Sequence, residues 1–161
     1  MHHAGMFTFQ HWMLVIVTLA LIAIAVKFTK VNEKNDLKKI IRRLTIVIWV
    51  LEILKEIYVF KMGNGSNLNK SVPLYYCSLL LYSGIFSSFG KGKLQRIGDV
   101  FLATGGIVAG LVFIIFPTTS LPEYPVFHFI SLHSFFFHGV MIYLGAVIHR
   151  FNYIEFLLCH F

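Results

Sequence analysis

The feature that most constrains this chain is an uncharged apolar run near its N-terminus, from Phe7 to Val26. A helix of about 20 residues is roughly 30 Å long, which matches the hydrocarbon thickness of a bilayer. The whole chain is 57% hydrophobic and only 13% charged, too apolar for a surface that faces water. We therefore expect an integral membrane protein. The first run lacks the basic segment of a signal peptide, so we expect it to be retained as a helix.

Further apolar runs predict an all-α fold, a polytopic bundle of about five transmembrane helices that forms one domain over residues 1–161. The expected helices cover residues 7–26, 44–60, 73–89, 97–116 and 126–148. The second is unusual because three charged residues lie inside it. A partial sixth apolar segment begins at residue 151 but is too short to span, so we expect a shortened version of a longer relative.

The basic residues divide unevenly between the two sides of this predicted bundle. Only Lys61 and Lys70 lie in loops on one side, whereas eleven lie on the other. The eleven are Lys27, Lys30, Lys34, Lys38, Lys39, Arg42, Arg43, Lys91, Lys93, Arg96 and Arg150. The positive-inside rule then places the N-terminus outside the cell membrane and the basic loops in the cytoplasm. Topology alone accounts for the net charge of +7, so we expect membrane lipids and no nucleic acid as partners.

The charged cluster of helix 2 comprises Glu52, Lys55 and Glu56. Ionisable groups at membrane depth cost several kcal/mol unless they are paired or hydrated, and Lys55 can neutralise one of the two carboxylates within the helix. The cluster either lies near the outer headgroups or forms a wall of a polar cavity. Glu52 is about eight residues, or ~12 Å, from each end of the span, which is deep for a side chain that only snorkels.

Helix 5 carries His128, His133 and His138, with Ser131 and Ser134 among them. A spacing of five residues turns each histidine by about 140°, so the three do not share a face. We expect no zinc site from them, and no other metal or cofactor. Ser131, Ser134 and His138 do share a face, which is either a helix-packing seam or one wall of a reactive pocket.

Cys77 follows Tyr76 in the first turn of helix 3. A cysteine beside a histidine suits acyl transfer because the histidine raises the thiolate fraction, whereas a cysteine alone in a membrane helix usually serves packing. Measured from the outer ends of their helices, Cys77 lies about 6 Å deep, His133 about 10 Å and His138 about 18 Å. Depth therefore favours His133 as the partner, but helix tilt leaves His138 open.

Small residues in helix 4 predict close helix packing. Gly106 and Gly110 form a G-x-x-x-G pair, which we interpret as a tight contact inside the bundle in preference to a dimer face. Asp99 is expected near the start of this helix, where the helix dipole favours an anion.

Four short motifs together resemble the YwaF-type integral membrane proteins of bacteria. They are residues 7–11 (FTFQH), 72–77 (VPLYYC), 105–118 (from Gly-Gly to Phe-Pro-Thr) and 137–139 (Phe-His-Gly). That family looks related to a mammalian transmembrane acyltransferase acting on ether phospholipids, and more distantly to membrane hydrolases of fatty-acid esters of hydroxy fatty acids. The resemblance implies a lipid-facing pocket with Cys77 as nucleophile and His138 as its histidine. Relatives commonly have six or more helices, which this chain does not reach.

These observations predict a lipid acyltransferase or lipid-ester hydrolase with a Cys/His pair in an intramembrane pocket. Cys77 would attack the acyl carbonyl, and His138 or His133 would accept the thiol proton and return it to the leaving group. The oxyanion or the imidazole would be oriented by Ser131, Ser134 or Tyr76. The alternatives are a non-catalytic ligand-binding module or transporter subunit whose polar cavity is lined by the charged cluster and the histidines, or residues that serve packing only.

Overall fold

The computed structural model describes residues 7–62, 76–118 and 120–153, without the side chains of Lys34, Tyr76 and Cys77. These residues form five α-helices and no strand. The helices are α1 (Phe9–Phe28), α2 (Lys34–Lys61), α3 (Tyr76–Phe89), α4 (Lys93–Ile115) and α5 (Phe129–Arg150). The prediction of an all-α helical bundle is confirmed.

Three of the five helices, α1, α4 and α5, are long and apolar enough to cross a membrane. Helix α2 has 28 residues but carries basic residues in its first half and the charged cluster in its second. Helix α3 is described over 14 residues, and its apolar part is Leu79–Phe89. The five expected spans therefore correspond to five helices, of which three have the composition of a membrane span.

Helix α2 begins ten residues before the expected position 44, because the basic segment continues the helix. Leu37 and Ile41 are spaced by four residues, and both are buried in the core. This i, i+4 apolar pair gives the basic segment a face that packs inward, while exposed residues such as Lys39 and Arg43 lie on its other faces. The segment that looked like a loop is thus an amphipathic extension of the helix.

Helix α4 also begins earlier than expected, at Lys93 instead of residue 97. Asp99 consequently lies well inside the helix, so the expected interaction with the helix N-terminus is wrong. Its carboxylate is fully buried and accepts a hydrogen bond from the Ser87 hydroxyl of α3, at 2.5 Å. Asp99 therefore joins α4 to α3.

Helix α5 packs against α1, α2 and α4, and α3 packs between α2 and α4. The small residues of α4 lie against α5 within the same chain. A Cβ added at Gly106 would be 3.0 Å from the Met141 carbonyl oxygen, and one added at Gly110 would be 2.9 Å from that of His138. The two helix backbones approach closely because these glycines lack side chains.

Helix α1 is peripheral, and its buried residues are His11 and Val15. His11 accepts a hydrogen bond from the Phe7 amide through Nδ1 (3.0 Å) and donates through Nε2 to the Ile114 carbonyl (2.9 Å). At the other end, the Arg150 guanidinium donates to the Val26 carbonyl. Polar contacts thus hold both ends of a helix whose outer face is available to lipid.

Helix α5 ends at Arg150, and a turn follows over residues 151–153. The partial sixth segment expected from residue 151 lies outside the described residues beyond this turn.

Candidate functional site in a cavity among four helices

A cavity of about 410 Å³ lies among α2, α3, α4 and α5, toward the ends of the helices that are remote from the basic segments. Five residues singled out from the sequence line it: Glu52, Lys55, His133, Ser134 and His138. The remaining lining residues are Ser78, Val108, Ala109, Val112, Phe113, Phe116, Thr118 and Phe137. Its volume is in the range of small-molecule sites, which are mostly apolar with a few convergent polar groups.

The charged cluster of α2 is paired within the helix. Lys55 Nζ lies 2.5 Å from Glu52 Oε1 and 2.9 Å from Glu56 Oε1. Glu52 is 7% exposed and lines the cavity, whereas Glu56 is partly exposed and is not among the cavity's lining residues. The ammonium therefore offsets part of the cost of a carboxylate in an apolar environment.

His133 connects α5 to this cluster. Its Nε2 lies 3.5 Å from Glu52 Oε2, on the carboxylate oxygen that Lys55 does not contact. Its ring also stacks on Phe137, one turn further along α5. The imidazole is thus held between an acidic group of α2 and an aromatic ring of its own helix.

His138 is buried and has one fixed hydrogen bond. Its Nδ1 lies 2.7 Å from the Ser134 carbonyl oxygen. Because a carbonyl only accepts, Nδ1 carries the proton, and Nε2 of the neutral ring holds a lone pair. That Nε2 has no hydrogen-bond partner among the described residues. His138 therefore has the tautomer of a general base, oriented by its own helix backbone.

His133 and His138 line one cavity although their helical positions differ by about 140°. The reason is that each faces a different neighbouring helix. His133 reaches Glu52 of α2, while the ring of His138 stacks on Phe113 of α4. The cavity lies between these two contacts, so α5 contributes an imidazole from each side.

Three predicted pocket residues have other positions. His128 caps α5, since its Nδ1 accepts a hydrogen bond from the Ile130 amide, and Tyr124 stacks on its ring. The Ser131 hydroxyl lies 3.5 Å from the Tyr124 carbonyl oxygen, and Glu56 contacts Lys55. None of the three is among the residues that line the cavity.

The remaining two predicted residues, Tyr76 and Cys77, lie in the first turn of α3, with side chains outside the described part. The next residue, Ser78, is buried and lines the cavity. Sequence reasoning overlooked Ser78, and also Phe113, which has no polar group to draw attention. In the described parts of the chain, no three His, Cys, Asp or Glu side chains are grouped so as to hold a metal ion.

The three long apolar helices define a multi-pass membrane protein, and its cavity contains the buried ionisable groups Glu52, His133 and His138. A family model described as the TMEM164 family matches residues 6–158, and the chain belongs to that family. This assignment overturns the expected membership of a YwaF-type family, which is a distinct family. The motifs behind that expectation are separate and cover only a minor part of the chain, whereas the family model covers nearly all of it. No match was found among curated proteins or solved structures.

Proposed function

We propose that the cavity catalyses acyl transfer from a lipid ester, to an acceptor hydroxyl or to water, with His138 as the general base. The observation that carries the proposal is the His138 imidazole, whose Nδ1–H is fixed on the Ser134 carbonyl while Nε2 has no partner among the described residues. A buried base with its lone pair uncommitted is what deprotonation of a nucleophile requires. A bilayer location gives lipid esters direct access.

The nucleophile in this proposal is the thiol of Cys77. Its proton passes to His138 Nε2 as sulfur bonds to the acyl carbonyl carbon. The tetrahedral intermediate then collapses, the ester C–O bond breaks, and the proton moves from His138 to the leaving alkoxide. An acceptor hydroxyl, or water, next gives its proton to His138 and attacks the thioester. The C–S bond then breaks, and the proton moves from His138 to the sulfur. The free thiol and the neutral imidazole are restored, and the acyl group leaves as an ester or a carboxylic acid.

The hydroxyl of Ser78 is the competing nucleophile. It lies directly after Cys77 in α3, and its cavity position supports the same mechanism with an oxygen ester intermediate. The two are distinguished by the adduct formed with an acyl donor: a thioester is cleaved by neutral hydroxylamine, whereas an oxygen ester resists it.

Lys55 and His133 have electrostatic roles in the proposal. Lys55 lines the cavity and is held by two carboxylates, so its ammonium has a defined position. Its N–H groups are suited to stabilise the oxyanion that forms on the acyl carbonyl. Glu52 contacts both Lys55 and His133, so it holds the Lys55 ammonium beside the cavity and orients the His133 ring.

The proposed topology has the basic segments in the cytoplasm and the cavity nearer the outer leaflet. The eleven-to-two distribution of Lys and Arg supports this orientation. Phe116 and Thr118 line the cavity at the far end of α4 from the basic residues Lys93 and Arg96. Labelling of single cysteines placed at Lys61 and Lys91 in intact cells tests it, because only the first should react with an impermeant reagent.

The function is tested with purified protein in lipid nanodiscs that contain an isotope-labelled phospholipid and an acceptor lysophospholipid. Mass spectrometry follows the transferred or released acyl chain. Cys77→Ala and His138→Ala are each expected to lower turnover by 10²-fold or more. His128→Asn is the matched control, since asparagine also caps a helix and the residue does not line the cavity. Equal turnover of wild type, His138→Ala and His128→Asn would exclude the proposal and favour a non-catalytic ligand site.

A further inference from the structure

We propose that a second site, on the opposite side of α5 from the cavity, binds an anionic glycerophospholipid with its phosphate on Arg43. The site is an apolar groove of about 680 Å³ between α1, α2 and α5. None of its lining residues lines the cavity described above. The proposal is therefore independent of the proposed catalytic function.

Among the described residues that line the groove, one polar group, the guanidinium of Arg43, is free for a ligand. The other polar side chains of the groove are Thr18 and Tyr143, and their hydroxyls are already engaged. Thr18 donates to the Leu14 carbonyl at 2.7 Å, and the Tyr143 hydroxyl lies 2.7 Å from that of Thr29. Arg43 is exposed and has no hydrogen bond or ion pair with another described residue. A single unpaired guanidinium beside an apolar surface complements a phosphate attached to an acyl chain.

The neighbouring residue, Arg42, differs from Arg43 because its guanidinium is engaged by other residues. Arg42 donates to the Ser88 carbonyl at 3.0 Å, and its guanidinium lies over the Phe89 ring. Arg42 therefore packs α2 against α3, while Arg43 lines the groove. The two adjacent arginines have separate roles.

The dimensions of the groove fit a lipid from one leaflet. Along α1 the lining extends from Leu14 to Ala25, about 16 Å of helix, which is close to half the hydrocarbon thickness. Ala25 lies near the same helix end as Lys27, at the side where the basic residues are concentrated. A phospholipid of that leaflet can place its phosphate at Arg43 and extend one acyl chain along the groove.

Native mass spectrometry of the full chain, released from detergent micelles, tests the site. The three probes are dioleoyl phosphatidylglycerol, dioleoylglycerol with the same chains but no phosphate, and inorganic phosphate. We expect the phosphatidylglycerol adduct alone to persist. Arg43→Gln should weaken it about tenfold, because a charge-assisted hydrogen bond is lost. Lys39→Gln removes one charge a turn away, on a side chain paired with Asp36, and should have little effect.

A second variant tests the groove itself. Ala25→Trp fills part of the groove beside α1 and leaves the charge of Arg43 unchanged, and it should also weaken the phosphatidylglycerol adduct about tenfold. Elution as a single species and an unchanged melting temperature confirm that each variant is folded. Equal weakening by Arg43→Gln and Lys39→Gln, persistent binding of dioleoylglycerol or of phosphate alone, or a second copy of the chain in the groove would each overturn the proposal.

Discussion

The imidazole of His138 lies flat against the phenyl ring of Phe113, with ring centroids 3.6 Å apart and an interplanar angle of 4°. The ring of Phe137 meets the same imidazole edge-on at 5.0 Å. Together with the Nδ1–H bond to Ser134, these contacts leave the histidine little rotational freedom. The base of the proposed reaction is thus oriented by α4 as much as by its own helix.

Phe113→Leu is expected to lower acyl-transfer turnover about tenfold, with a smaller change in KM. Leucine retains the apolar volume, but the stacked contact that orients the imidazole is lost, and aromatic pairs contribute about 0.5–1.5 kcal/mol. The measurement is the nanodisc assay under saturating donor lipid. Phe60→Leu, on an exposed phenylalanine of α2, is the control. A fall in melting temperature with unchanged turnover would assign Phe113 to packing alone.

Glu52→Gln is expected to destabilise the protein by about 2 kcal/mol, because a buried carboxylate that contacts Lys55 and His133 loses its charge. Glu56→Gln should cost less than about 0.5 kcal/mol, since its carboxylate is partly exposed. Unfolding in a mixed detergent measures both. A double-mutant cycle with Lys55→Met isolates the pair energy. Equal costs for the two glutamates would contradict the placement of Glu52 in the cavity wall.

Gly110→Ala is expected to destabilise the bundle by about 1–3 kcal/mol and to lower activity. The added Cβ would lie 2.4 Å from Ile142 Cγ1 and 2.9 Å from the His138 carbonyl oxygen, so α5 has to move. Gly105→Ala is the matched control: its Cβ meets the Phe101 side chain at 3.3 Å, and a side chain can shift. Alanine also favours helix over glycine, so the control should be neutral or stabilising. Melting temperatures in detergent decide between these outcomes.

His11→Ala is expected to cost about 2 kcal/mol, because the Ile114 carbonyl loses its donor in a buried contact between α1 and α4. Gln10→Ala changes the exposed neighbour and should leave stability within about 0.5 kcal/mol. The loss of stability should be largest in assays that report on α1, such as the protection of an engineered protease site beside Thr29. Similar protection in both variants would mean that the histidine bond does not hold α1 in place.

Hydropathy predicted the helical bundle because each apolar run is a local property of the sequence. The boundaries were less predictable. The start of α2 depends on Leu37 and Ile41 finding partners in other helices, which composition does not reveal. Asp99 illustrates the same limit, since its partner Ser87 belongs to α3.

For the candidate site, the cost of burying charge was enough to draw attention to Glu52 and Lys55 from the sequence. Helical angles suggested that His133 and His138 would be separated, and they are, but onto two sides of one cavity. That outcome depends on where α2 and α4 lie around α5. The stacking of Phe113 on His138 depends on the same register, and no local pattern encodes it.

Burial is unevenly shared between the first and last helices: 72% of the most apolar stretch of α5 is buried, against 11% of that of α1. Lipid accommodates almost any apolar side chain. Most positions of α1 can therefore be exchanged among leucine, isoleucine, valine and phenylalanine with little effect on stability. Helix α5 has no comparable freedom, because its faces meet the cavity, the groove and the α4 glycines. Among homologues of this chain, the sequence of α5 should therefore diverge most slowly. In α1, whose sequence should otherwise vary, His11 should be the position that rarely changes.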